Sequence, residues 1–294
     1  MPAKSPDPQT SVLLLHGRGG AASVLALVIE VGIVVWYWYA SQRAGADGRR
    51  WPLLRVGSFA LGMAVVAYAV EGGIALYERD NFTVHVVQLL LLAYVAPPLL
   101  AMGMPVRLAL QSAKRRTHAR LLRFVHSWWA RALTHPLVVL VLLSASLYAY
   151  FLTPLYRWSE EHPALLFYVD VHFLFVGFLF WSVVVSRDVL PRSFRFGTRV
   201  VLVLVCVPVD AFFGLTVGSV SKPLFGAGNT LADTQGGGDV LWGLTELFIV
   251  IALALLFVEW AREEERRAVQ ADRQLDAAIA AARAGADGAS EGPP

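Results

Sequence analysis

The sequence predicts an all-α, polytopic membrane protein with seven transmembrane helices, and three observations lead to this prediction. Hydrophobic residues make up 56% of the 294 residues and charged residues only 16%, whereas soluble chains carry about 25% charged residues. The apolar residues are concentrated in seven segments, each long enough to cross the bilayer core as a helix. No lysine or arginine falls inside any of them. In chain order they are 23–40, 56–77, 84–103, 137–156, 164–186, 200–221 and 239–261.

All of these spans except the fourth bring an ionisable side chain into the membrane. A charged group in the hydrocarbon costs roughly 2.5–3.5 kcal/mol on insertion scales, so such residues are functional candidates. Counting along each span places nearly all of them in the outer half of the bilayer, which predicts a polar cavity, a metal site or a proton-linked site open to the outer face. The alternative is that they form hydrogen bonds between helices and fix the packing. In chain order the candidates are Glu30, Glu71, His85, Gln88, Asp170, His172, Asp210 and Glu246.

Two local features qualify this pattern. Asp170 and His172 are two residues apart on a helix, so they cannot both point at the bundle axis. In the third span, Pro97 and Pro98 remove backbone donors, so the helix is expected to kink or end early there.

The loops predict an orientation. Connections 41–55, 104–136 and 187–199 together carry fifteen lysines and arginines, whereas the alternate connections carry three. By the positive-inside rule, the N-terminus is expected outside and the C-terminus in the cytoplasm. The chain then divides into an extracytoplasmic tail 1–22, a transmembrane domain 23–261, and a cytoplasmic charged helix with a disordered tail, 262–294.

Several functions are excluded or disfavoured by composition. The net charge is +3 and no segment resembles a nucleic-acid arm, so no nucleic-acid partner is expected. The lipid bilayer is the expected partner of the apolar spans. The lone cysteine excludes an intramolecular disulfide and any CxxC metal site. No removed signal peptide is predicted. The basic connection 104–136 is either an amphipathic segment on the inner leaflet or a solvated loop.

Five stretches resemble the CtaG family of cytochrome c oxidase assembly proteins, in its order and over about residues 50–265, with the closest likeness to actinobacterial members. They are HVVQLLLLAYVAPPLLAMGMPVRLAL from His85, HPLVVLVLLSASLYAYFLTPLY from His135, VHFLFVGFLFWSVVVSRDVLPR from Val171, PVDAFFGLTVGS from Pro208, and TLADTQGGGDVLWGLTELF from Thr230.

The resemblance implies a multi-pass protein of the bacterial plasma membrane that helps assemble haem-copper oxidase, with oxidase subunits as partners and no turnover of a small substrate. It implies copper supply as the step, with histidines at the outer face as ligands. The chain departs from the family pattern at two of these histidine positions, where it has Leu89 and Asp210 instead. The candidate metal ligands are therefore His85, His172, Asp210 and Glu246, with Asp233 and Gln235 in the loop before the last span.

Three other functions compete with this one, and the residues argue against the last two. A transporter, or a metal- or proton-linked binding protein, could use the same scaffold without handling copper. A b-type haem carrier needs two histidines at matched depth, and His85 is several residues shallower than His172. A retinal protein needs a lysine in its last span, which 239–261 lacks.

Overall fold

The computed structural model describes residues 21–44, 50–77, 81–192, 194–223 and 230–290. Within these residues all regular structure is helical. The predicted tail 1–22 lies almost wholly outside them. The helices are α1 Ala21–Ala44, α2 Leu53–Glu71, α3 Ile74–Tyr77, α4 Phe82–Leu90, a π-helical turn Leu91–Val95, α5 Ala96–Met102, α6 Pro105–Ser112, α7 Arg115–Val125, α8 Trp128–Leu133, α9 Pro136–Leu152, α10 Leu155–Glu161, α11 Pro163–Val185, α12 Phe196–Gly218 and α13 Leu231–Ser290.

The all-α, polytopic prediction is confirmed. Six stretches of the described chain are long and apolar enough to span a membrane. The pair α9 and α10, which bend by 71° at their junction, makes a seventh if the two helices form one span. The orientation of the termini stays a prediction that rests on the loop charges.

The bend corrects the predicted fourth span, which ran without interruption through 137–156. Helix α9 ends at Leu152, and the chain breaks at Thr153 and Pro154 before α10 begins. Proline cannot donate to the preceding turn and disfavours helical geometry in the residue before it. The break therefore follows from Pro154 itself.

The two prolines of the third span act differently from the expected kink or early end. The helix continues through Pro97 and Pro98 because the turn before them widens into the π-helical Leu91–Val95. It ends at Met102, and Met104 takes a left-handed conformation (φ 54°) before Pro105 starts α6. The predicted end near Gly103 is confirmed.

The prolines leave one backbone carbonyl without a donor from its own helix, and a side chain of α11 donates to it instead. The carbonyl of Ala93 would accept from residue 97 in an α-helix or from residue 98 in a π-helix, and neither proline has an N–H. The indole Nε1 of Trp181 donates to it instead, at 3.1 Å. Gly177, one turn earlier on α11, lets the backbones approach, because a Cβ there would lie 2.5 Å from the same oxygen.

The chain divides into two compact units, Met1–Val250 and Ile251–Pro294. In the first, α2 and α11 pack against the helix that runs from α4 through α5, around a core that includes Phe59, Met63 and Leu92. In the second, helix α13 continues to Ser290, through part of the segment predicted to be disordered. Arg267 pairs there with Glu263 at 2.6 Å, on an exposed face.

Candidate functional site

Helix α4, which carries His85 and Gln88, is held at its N-terminus by the last helix. The carboxylate of Asp233 accepts from the backbone N–H of Phe82 at 2.7 Å and of Thr83 at 3.1 Å, and from the Thr83 hydroxyl at 2.8 Å. Asn81 caps the same helix through the N–H of Val84. These N–H groups have no partner inside the helix, and its dipole favours an anion there. Asp233 therefore fixes the position of α4.

The structure corrects the predicted loop location of Asp233 and Gln235. Helix α13 begins at Leu231, eight residues before the predicted span, so both side chains lie in its first turns. The Gln235 amide donates to the backbone carbonyl of Val220, at 2.9 Å. Gln235 thus ties the start of α13 to the segment directly after α12.

His85 is buried in a hydroxyl network that the bend between α9 and α10 assembles. The Ser159 hydroxyl donates its one hydrogen to the Tyr156 carbonyl at 2.6 Å, so it accepts from the Tyr150 hydroxyl at 2.8 Å. The Tyr150 oxygen in turn accepts from Nε2 of His85 at 3.0 Å. This network assigns the hydrogen of the imidazole to Nε2.

The hydrogen of the His172 imidazole, on α11, is likewise assigned to Nε2. The Ser146 hydroxyl donates to the Leu142 carbonyl, so its oxygen accepts from Nε2 of His172 at 2.8 Å. The half-buried ring lies against Tyr168. In this tautomer the lone pair of each ring is at Nδ1.

Gln88, one turn deeper than His85 on α4, is fully buried. Neither atom of its amide has a hydrogen-bond partner among the described residues. A buried polar group without a partner costs about 1–3 kcal/mol. A polar side chain kept at such a cost is typical of a functional position.

The carboxylates separate into two further groups. Asp210 on α12 accepts from the Tyr94 hydroxyl at 2.6 Å, and Glu246 is close enough to interact with it electrostatically. Glu71 accepts from the Ser23 hydroxyl and lies near Glu30, while Glu30 and Asp170 line one cavity. Sequence reasoning placed all of these at one level, and the structure distributes them over separate contacts.

A copper site made of the four candidate ligands does not fit this arrangement. Among the residues that the structure describes, no three His, Cys, Asp or Glu side chains lie close enough together to hold a metal ion. Nε2 of His85 bonds Tyr150 and Nε2 of His172 bonds Ser146, so a metal could reach these imidazoles only at Nδ1. Asp210 accepts from Tyr94. The ligand set His85, His172, Asp210 and Glu246 stays a sequence prediction.

Asp188 is a functional candidate that the sequence analysis missed. Its carboxylate accepts from the N–H groups of Val106 at 2.9 Å and Arg107 at 2.7 Å, at the start of α6. Burial raises the pKa of this carboxyl, and the backbone N–H groups and Arg107 oppose the rise. Its position within SRDVLPR, the end of the third stretch quoted from the sequence, was the feature that could have identified it. Tyr94 and Tyr150 carried no such signal, because hydroxyl groups do not stand out in an apolar span, and Ser159 fell in a predicted loop.

The five stretches singled out in the sequence meet on the helix from Phe82 to Met102 and on α6 directly after it. Asp233 binds its start, Tyr150 bonds His85, Trp181 bonds Ala93 and Asp210 bonds Tyr94. Asp188 binds α6. Residues 65 to 151 positions apart thus converge on this helix and the start of α6.

Comparison with known proteins agrees with this convergence. The family model described as cytochrome c oxidase caa3 assembly factor matches residues 35–263. The chain belongs to this family. Relatives include the uncharacterized proteins Mb0105 of Mycobacterium bovis and MT0111 of Mycobacterium tuberculosis, each 32% identical over 278 residues, which cover 85% of this chain and 41% of the relative. The uncharacterized protein ML1998 of Mycobacterium leprae is 28% identical over 278 residues, which cover 87% of this chain and 41% of the length of ML1998.

The chain therefore spans about two-fifths of the length of the curated relatives that it matches. No solved structure matches it. The resemblance read from the sequence is confirmed by the family match, and the separate motifs of that family are the same residues that pack together here.

Proposed function

We propose that the protein is a non-catalytic assembly factor for a caa3-type cytochrome c oxidase in the bacterial plasma membrane. The match to the assembly-factor family over residues 35–263 carries the proposal. The buried network around His85 supports it, because a helix held at one end by Asp233 and along its side by Tyr150 is a rigid element suited to positioning a client helix. Oxidase subunits are the proposed partners.

Deletion of the gene in its own host is expected to lower cytochrome c oxidase activity and the haem a absorbance of the membranes together. The reason is that an assembly factor acts on the amount of mature enzyme and leaves its turnover number unchanged. Complementation with the wild-type chain should restore both readings. The matched control is Glu263→Gln, an exposed change in the charged part of α13, which should complement fully. Normal oxidase content in the deletion strain would refute the proposal.

Copper supply is the finer proposal, and it rests on the family resemblance and on the imidazoles of His85 and His172. Since the described residues form no closed ligand group, any such role would be exercised together with the subunit that receives the metal. We therefore expect the purified chain, titrated with copper(I) against a competing chelator, to bind no more tightly than the His85→Ala, His172→Ala double variant. Stoichiometric binding that the double variant loses would show instead that the chain alone holds copper.

A further inference from the structure

A cavity of about 340 Å³ lies between α1, α2, α11 and the helix from α4 through α5. Sixteen residues line it, and fourteen are apolar. The exceptions are Glu30 and Asp170. Two of the lining residues, Val171 and Phe175, are exposed at the surface of α11. The cavity is within the size range of small-molecule sites and can be entered by an apolar molecule.

Glu30 lines this cavity and carries an unsatisfied acceptor. The residue is only 8% exposed, and its Oε2 has no hydrogen-bond partner among the described residues. Glu71 places a second carboxyl group close enough to interact with Glu30 electrostatically. No lysine, arginine or histidine is among the residues that line the cavity. The lining thus presents carboxyl oxygens and no built-in positive charge.

The lining determines what chemistry can occupy the space. An anion would meet only carboxyl groups, and a hydrocarbon would leave Oε2 of Glu30 unpaired, at a cost in free energy. A ligand that supplies N–H donors and a positive charge removes that cost. Four phenylalanines also line the cavity and can face a cation with their rings: Phe59, Phe167, Phe175 and Phe178.

We propose that this cavity binds a lipophilic amine, an apolar molecule with one protonated amino group held by Glu30 and Asp170. The apolar body packs against the aliphatic and phenylalanine side chains. The site is separate from the His85 network and does not depend on the proposed role in oxidase assembly. Its ligand enters from the membrane, between α1 and α11.

The test compares 1-adamantanamine with 1-adamantanol, which share one apolar cage and differ in the charged donor. Binding is measured by titration calorimetry on the full chain in lipid nanodiscs, with empty nanodiscs subtracted. The amine is expected to bind saturably, one per chain, and at least tenfold more tightly than the alcohol. Glu30→Gln, which keeps the shape of the side chain, is expected to abolish this preference. Glu161→Gln, an exposed acid outside the cavity, is the control and should retain it.

A second variant keeps the test decisive if Glu30→Gln does not fold. Val171→Trp adds bulk at the exposed mouth and should weaken binding of both compounds without changing the thermal unfolding midpoint by more than a few degrees. Equal affinity for amine and alcohol, a preference that survives Glu30→Gln, or wild-type amine binding by Val171→Trp would each overturn the proposal.

Discussion

Gly177→Ala is expected to destabilise the protein strongly, although it adds a single methyl group in the middle of a helix. The new Cβ would lie 2.5 Å from the carbonyl oxygen of Ala93 and 2.9 Å from its Cα. Both are backbone atoms, so no rotation of a side chain relieves the clash and α11 must move away. Overpacking of this kind costs about 1–3 kcal/mol. Loss of the Trp181 hydrogen bond to Ala93 adds about 1–3 kcal/mol, since the prolines leave that carbonyl no other donor.

Gly57→Ala is the matched control, because nothing lies within 4 Å of a Cβ at that helical position. It should leave the thermal unfolding midpoint in detergent unchanged or raise it, since alanine favours helix more than glycine does. A double-mutant cycle with Trp181→Phe separates the two costs. If α11 has moved, Trp181→Phe costs little in the Gly177→Ala background. Equal midpoints for Gly177→Ala and Gly57→Ala would mean that the close approach does not contribute to stability.

The same contact shows what the sequence could and could not predict about the fold. Span length and hydrophobicity are properties of a local stretch, so the all-α, multi-span architecture follows from them. The response to Pro97 and Pro98 does not, because the donor that satisfies Ala93 comes from Trp181, 88 residues away. The bend at Pro154 was locally visible in FLTPLY, and the predicted span ran past it.

The residues of the candidate site could be predicted from the sequence, but their arrangement in space could not. Counting residues along each span gives depth, but it gives no rotation about the helix axis. Asp170 and His172 illustrate the difference: Asp170 lines the cavity with Glu30, whereas His172 turns to Ser146 on α9. The tautomers of His85 and His172 depend on serine hydroxyls that bond backbone carbonyls, and no sequence pattern indicates those bonds.

Asp233→Ala is expected to loosen the helix that carries His85. Two backbone N–H groups, those of Phe82 and Thr83, would lose a charged acceptor at the start of α4. Loss of a helix cap costs about 0.5–2 kcal/mol, and hydrogen bonds to a charged group contribute about 1.5–3 kcal/mol each, so the variant should lose at least 2 kcal/mol. Asp233→Asn keeps the shape of the side chain and one acceptor oxygen, so its stability should lie between that of the wild type and that of Asp233→Ala.

Amide hydrogen exchange distinguishes a local effect from a global one. The cap acts on the first turn of α4, so Asp233→Ala should speed exchange over residues 82–88 much more than in α11. Asp239→Ala, an exposed aspartate on the same helix α13, is the control and should change neither reading. If α4 loosens, the Nε2 contact of His85 with Tyr150 weakens as well, because Thr83 and His85 belong to the same helical turn. An Asp233→Ala protein that exchanges and unfolds like Asp239→Ala would show that α4 is positioned by its packing against Tyr150, Phe151 and Tyr156 alone.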